Sequence, residues 1–173
     1  KKDKMSTDSI RFKSYNNTID VIKCIGEQHL NIKTVTNGDI WEIDLERTNI
    51  FPLFHINPVS VDINQGQRVF NFQLFIMDLV EPNEANEQEV MSDTLEIMTD
   101  IIAVFKHGEI LYTYDTSHGE EPRYFINDDF TCEPFTERFA NSVTGWVMDI
   151  QVIVESELNS CNVPIDNTTI CVK

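Results

Sequence analysis

Residues 51–80 read Phe-Pro-Leu-Phe-His-Ile-Asn-Pro-Val-Ser-Val-Asp-Ile-Asn-Gln-Gly-Gln-Arg-Val-Phe-Asn-Phe-Gln-Leu-Phe-Ile-Met-Asp-Leu-Val. Two apolar runs of period two flank a turn, which is the pattern of an antiparallel hairpin. Phe54 and Ile56 alternate. Val59, Val61 and Ile63 then alternate on a shifted phase, with Pro58 at the shift. Proline has no ladder donor, so a bulge or an edge position is expected there. Asn64, Gln65, Gly66 and Gln67 make the turn. The returning strand, Arg68 to Val80, places Phe70, Phe72, Leu74 and Ile76 on one face and Val69, Phe75, Met77 and Leu79 mostly on the other. Two apolar faces predict a central strand covered on both sides.

Upstream, Tyr15, Ile19, Ile22 and Ile25 share one helical face, and a helix is expected over 15–28, with Gly26 weakening its end. Two short strands are expected within 32–45, with Asn37-Gly38-Asp39 as a turn between them. Downstream, Met91, Leu95, Met98, Ile102 and Phe105 form a stripe that predicts an amphipathic helix over 84–107, acidic at its start and stopped by Gly108. Residues 109–114 read as a short strand or an extension of the helix packing, and 115–128 as an exposed loop. A further strand starts near Phe130 and contains Pro134, again an edge or bulge signature. Trp146, Met148, Ile150, Val152 and Val154 alternate without a break and predict a strand with one buried face. The resulting class is α+β, a mostly antiparallel sheet of hairpins flanked by two amphipathic helices. A basic N-terminal arm (1–13), a single domain (14–156) and a C-terminal extension (157–173) divide the 173 residues.

The chain has 29 acidic and 13 basic residues, a formal charge of −16. Lys1, Lys2, Lys4, Arg11 and Lys13 supply five of those basic residues, so past residue 13 eight basic residues face 27 acidic ones. An acidic body argues against wrapping nucleic acid or lying on an anionic membrane, both of which need a basic footprint. No apolar run approaches the roughly 18 residues of a membrane span, and the first residues lack a signal-peptide core. Cys24, Cys132, Cys161 and Cys171 form no CxxC pair and are expected to be reduced and structural, although Cys161 and Cys171 are spaced to close a short loop.

No nucleophile elbow, zinc-protease helix, phosphate-binding loop or dinucleotide fingerprint occurs, and no catalytic residue, metal ligand or cofactor is assigned. His55, between Phe54 and Ile56, reads as a hydrogen-bonded structural imidazole. Cys132 beside Glu133 is a poor nucleophile, because the neighbouring carboxylate raises a thiol pKa. His118 stands among Asp115, Glu120, Glu121, Asp128 and Asp129, an oxygen-rich loop whose spacing matches no EF-hand. Trp146 reads as core, and Trp41 as either core or an interface anchor.

Four segments together resemble the small virion proteins of tailed bacteriophages, of the tail-terminator or tail-completion kind at the head–tail junction. They are Asp39-Ile40 with Ile50–Ile56, then Phe70–Leu79, the acidic helix Glu87–Ile101, and Cys132–Ile150. The resemblance covers residues 15–156. It implies a structural subunit, not an enzyme, assembled into a homo-oligomeric ring, hexameric or dodecameric. Such a ring caps the tail tube, joins it to the neck and lets DNA pass without specific binding. The implied location is the virion, with assembly in the host cytoplasm and no membrane. The candidate contacts are Lys1, Lys2, Lys4 and Arg11 in the arm, Trp41, the tip Asn64-Gln65-Gly66-Gln67, and His118, Glu120 and Glu121 in the acidic loop. Alternatives are another neck, connector or minor head protein, a divalent-metal-dependent hydrolase using loop 115–129, and a monomeric acidic adaptor for a basic partner.

Overall fold

The computed structural model describes residues 14–40, 50–107, 124–126, 129–138 and 142–156. The elements run α1 (Ser14–Gln28), β1 (Thr34–Asn37), β2 (Leu53–Asn64), β3 (Gly66–Leu79), α2 (Glu87–His107), β4 (Tyr124–Ile126), β5 (Cys132–Arg138) and β6 (Ser142–Ser156). The fold is α+β.

The strands form one sheet in the order β1-β2-β3-β6-β4, with β5 also paired to β6. β2 and β3 pair antiparallel from Leu53↔Met77 to Asn64↔Gln67, and the register slips between Pro58 and Ser60. Val59 is the extra residue of that bulge, at the phase shift expected from the sequence. Gly66 in the turn has a φ of 89°, a conformation that favours glycine. β6 pairs with β3 along 14 residue pairs, Gly66↔Ser156 to Leu79↔Val143. Its other edge is shared, by β5 against Ser142–Met148 and by β4 against Val152–Val154. Pro134 therefore sits in a strand with β6 on one side, consistent with its missing donor.

The structure refines several expectations. Of the two strands expected within 32–45, Thr34–Asn37 is β1, and the second lies mostly outside the described residues; β1 lies parallel to β2, Thr34↔Leu53 to Asn37↔Ile56, and Gly38 N donates to Ile56 O (3.1 Å). The partner of β1 is thus a strand further along the chain, which turn propensity does not reveal. Residues 115–128 are not loop throughout, because Tyr124–Ile126 is a strand on β6. The buried stripe of α2 is Val90, Thr94, Ile97, Met98, Ile101 and Phe105, with Met91, Leu95 and Ile102 at its margin. The helix is rotated by about one position from the stripe expected; this buries Thr94, which is tolerated because its hydroxyl donates to Val90 O (2.6 Å). α2 also starts at Glu87 rather than 84.

Both helices lie on one face of the sheet. Ile19, Ile22 and Ile25 of α1 and Ile97, Met98, Ile101 and Phe105 of α2 join one cluster with Phe54, Ile56, Phe70, Phe72, Leu74, Ile76, Met148, Ile150, Val152 and Val154. Gly26 has a packing role here: a Cβ at this position would run into the Phe54 ring, so the glycine sets how closely α1 approaches β2. Trp146, packed at the edge of this cluster, donates its indole N–H to Met91 O (2.8 Å) and ties β6 to the start of α2. The opposite face has a smaller cluster of Leu53, Phe75 and Met77, flanked by Ile40, Phe51, Phe135 and Val147. β3 is central, as expected, but both of its faces are buried only in its C-terminal half: Val69, Asn71 and Gln73 are partly exposed.

Candidate interaction surface at the distal hairpin

α1 and β2 differ in reach. Fifteen helical residues span about 22 Å, and the 12 residues of β2 span about 40 Å. The first turn of α1 ends over β3, where the Tyr15 ring lies 6.0 Å from Phe70 and 6.5 Å from Phe72. Among the described residues no helix lies above the β2–β3 hairpin beyond that point. Val59, Val61 and Ile63 are 56%, 43% and 62% exposed, although their sequence pattern is that of a buried strand face. Tyr15, Pro58, Val59, Ser60, Val61, Phe70, Asn71 and Phe72 line an open depression of about 210 Å³ at the root of this projection.

The far face of the projection is polar. Asn71 donates through Nδ2 to Ser60 Oγ (2.9 Å) and Asp62 Oδ2 (3.0 Å), and Asn57 Nδ2 donates to Gln73 Oε1 (3.2 Å). The hairpin end therefore has one mainly apolar face, which also carries Arg68, and one mainly polar face, which also carries Val69. It also has an open side: β1 covers β2 only as far as Ile56, and among the described residues no strand lies beside Asn57–Asn64. An edge strand of this length with exposed apolar residues is a template for pairing with another chain.

Of the contact residues expected from the sequence, Asn64, Gln65, Gly66 and Gln67 are exposed at the tip of this hairpin. The end of β6, Ser156, pairs with Gly66, and α1 begins beside Phe70, so the arm and the C-terminal extension both leave the described chain at this end of the sheet. Lys1, Lys2, Lys4, Arg11, Trp41, His118, Glu120 and Glu121 lie outside the described residues, as does most of loop 115–129. Val59, Val61 and Ile63 were not among the residues singled out from the sequence. Their alternation was legible, but it reads as core until the structure shows them exposed past the start of α1.

Elsewhere the chemistry is structural. His55 is buried beside Phe75 (ring centroids 6.1 Å), its Nδ1 is 2.8 Å from Thr36 Oγ1, and its Nε2 has no hydrogen-bond partner. Burial holds its pKa below the ordinary 6.5, against the opposing pull of the Gly38 backbone and Asp39. This is the hydrogen-bonded imidazole expected. Burial also raises the Cys132 thiol, the direction expected, although desolvation rather than Glu133 is the cause. Among the described residues no cluster of His, Cys, Asp and Glu could hold a metal ion, and no helix is long and apolar enough to cross a membrane. The solvent side of α2 carries Glu89, Asp93, Glu96 and Asp100, all exposed and spaced by four, three and four, with His29 Nε2 3.2 Å from Asp100 Oδ2. Compared with known proteins, the chain matches no family model and no curated protein.

Proposed function

We propose that the protein is a structural virion subunit of a tailed bacteriophage that assembles head-to-tail into a ring at the head–tail junction. There it caps the tail tube, joins it to the neck and leaves an opening for DNA. The observation that carries the reading is the projecting hairpin, with its exposed Val59, Val61 and Ile63 and its open β2 edge. A ring needs a heterologous contact, in which one patch meets a different patch of the next copy. A strand edge that is open on one copy suits such a contact. The acidic stripe Glu89, Asp93, Glu96 and Asp100 gives secondary support. Like charges at these spacings weaken a helix, and a wall of carboxylates repels phosphate, which suits a bore that DNA crosses without sticking.

The test is an image of particles made without this protein. Tails of uncontrolled length, or full heads without joined tails, are the expected result; normally assembled particles would overturn the reading. In a ring reconstruction, a neutral or basic bore would remove the conduit role while leaving the ring.

A further inference from the structure

We propose that the distal edge of β2, with the depression at its root, is a strand-addition site for an extended segment of a neighbouring polypeptide in which apolar residues alternate with basic ones. The proposal deepens the ring reading above and rests on it for the presence of a neighbour.

The ladder points to polypeptide main chain as the occupant. Gly38 N donates to Ile56 O, so the main-chain groups of Ile56 turn away from β3, and its pair with Leu74 is a non-hydrogen-bonded one. β3 runs against β6 without a slip, so Phe70, an even number of residues from Leu74, is oriented alike and turns its own groups to β6. Val61, the partner of Phe70 past the bulge, therefore directs its N–H and C=O outward, and Ile63 does the same. Among the described residues nothing pairs with these groups. An extended chain, with donors and acceptors at the same repeat of about 7 Å, is what matches them. The other described edges are poorer templates: β1 and β4 have four and three residues, and Pro134 removes a donor from β5. Val61 and Ile63 both lie past Pro58, where the β2 edge has every donor.

The side chains around this edge specify the sequence pattern. On the helix side of the sheet Val61 and Ile63 are exposed, and the depression lined by Tyr15, Pro58, Val59, Phe70 and Phe72 continues that apolar surface towards the bulge. A strand laid beside β2 sets every second side chain on it. The intervening side chains fall on the opposite face, where Asp62, Asp149 and Glu155 are exposed. The paired positions of β2, β3 and β6 on that face hold no lysine or arginine. Asp62 is the one charged residue of Asn57–Asn64; its cross-strand neighbour is Val69, and Asn71 donates to it without bringing a charge. A basic residue directly opposite Asp62 therefore gains a cross-strand charge pair, and an acidic one meets a like charge.

The probe is a fluorescein-labelled heptapeptide, Thr-Val-Lys-Val-Lys-Val-Thr, titrated with the full chain and read by fluorescence anisotropy. Saturable binding is expected. An extended probe pairs through one edge, so methylating the main-chain nitrogens of its valines or of its lysines should, in at least one of the two cases, weaken binding by about tenfold or more, the equivalent of two lost ladder bonds. A probe with glutamate in place of lysine should lose binding to the native chain and regain it with Asp62→Lys. Val61→Lys changes an exposed side chain and should keep the melting temperature while weakening the probe; an undiminished affinity counts against the site. Absence of saturable binding, equal binding of the parent and both methylated probes, or a glutamate probe that Asp62→Lys does not rescue would overturn the proposal. Particles made without this protein keep the two readings apart: misassembled particles with no probe binding reject strand addition alone, and normally assembled particles reject the ring and leave the probe to decide the site.

Discussion

The β2–β3 hairpin is two structures on one ladder. In its proximal half, Leu53, Phe54, His55 and Ile56 pair with Leu74, Phe75, Ile76 and Met77, and all eight are buried. In its distal half, Val61, Asp62 and Ile63 pair with Phe70, Val69 and Arg68, and only Phe70 is buried. The pairing continues through the bulge and the apolar alternation is equally good in both halves. What changes is the layer above, because α1 ends over Phe70. Pattern alone specifies a face that wants cover; the length of the neighbouring element decides whether the same chain provides it.

The largest effects should separate the halves. Phe54→Ala removes a ring buried against α1 and should cost about 3–5 kcal/mol. Val61→Ala, on the same face of the same strand, should cost less than about 0.5 kcal/mol. Denaturant unfolding of both variants checks this. Equal losses would show that the distal apolar row is covered within one chain.

The glycines sharpen the contrast. At Gly26 the φ is ordinary, but an added Cβ would meet the Phe54 ring. Gly26→Ala gains about 1 kcal/mol of helix propensity against an overpacking cost of about 1–3 kcal/mol, so net destabilisation is expected. At Gly66 an added Cβ meets nothing, but the positive φ remains. Gly66→Ala should cost about 1 kcal/mol through the backbone alone. Thermal unfolding of a double variant should show additive losses, since the two sites share no partner. Gly26→Ala combined with a smaller residue at 54 should recover part of its loss; Gly66→Ala should not.

This contrast also accounts for how far the sequence could be read. The hairpin, the bulge at Pro58, the turn at Gly66 and the strand from Trp146 were legible because each is local: a period of two, a missing donor, a residue that tolerates positive φ. The parallel pairing of β1 was not, because Thr34–Asn37 meets a partner 19 residues away and no local pattern encodes that choice. The rotation of α2 was hidden by Thr94, a polar residue that pattern reading places outside and a backbone hydrogen bond places inside. Gly26 was readable only as a weak helix position, and the reason for it is the Phe54 ring from another element. The interaction surface was half legible: the tip at 64–67 follows from turn chemistry, but the exposure of Val59, Val61 and Ile63 follows from the reach of a helix.

Acid should act on the proximal half first. His55 has a pKa below 6.5 in the folded chain and near 6.5 when unfolded. As pH falls from 6.5 towards the folded value, the unfolded state takes up the proton that the native state refuses, so stability declines on acidification. Asp78 behaves oppositely. Burial and Asp93 raise its pKa above 3.8, against the Leu79 N–H that donates to it (2.7 Å). Its native state takes up a proton first, so its contribution to stability grows as pH falls through the raised value towards 3.8. His55→Gln should flatten the decline just below pH 6.5, and Asp78→Asn should remove the opposing gain at lower pH. Melting temperatures across pH 3–7 check both directions, and a decline unchanged by His55→Gln would place the acid sensitivity elsewhere.

The smallest effect expected is at the distal polar face. Asn71 joins Ser60 and Asp62 across the hairpin, but water competes for each of these exposed groups. Asn71→Ala should therefore cost about 0.5 kcal/mol or less, at the low end for a hydrogen bond that exchanges with solvent. Asn57→Ala removes a part-buried partner from Gln73 at the junction of the halves and should cost more, about 1 kcal/mol. The order of the two matters more than either value. If Asn71→Ala is the costlier, the distal ladder is held from within and its apolar row needs no neighbour. If the order is as expected, the distal hairpin depends little on its own cross-strand side chains, and its folding leaves the exposed row available to whatever pairs with the β2 edge.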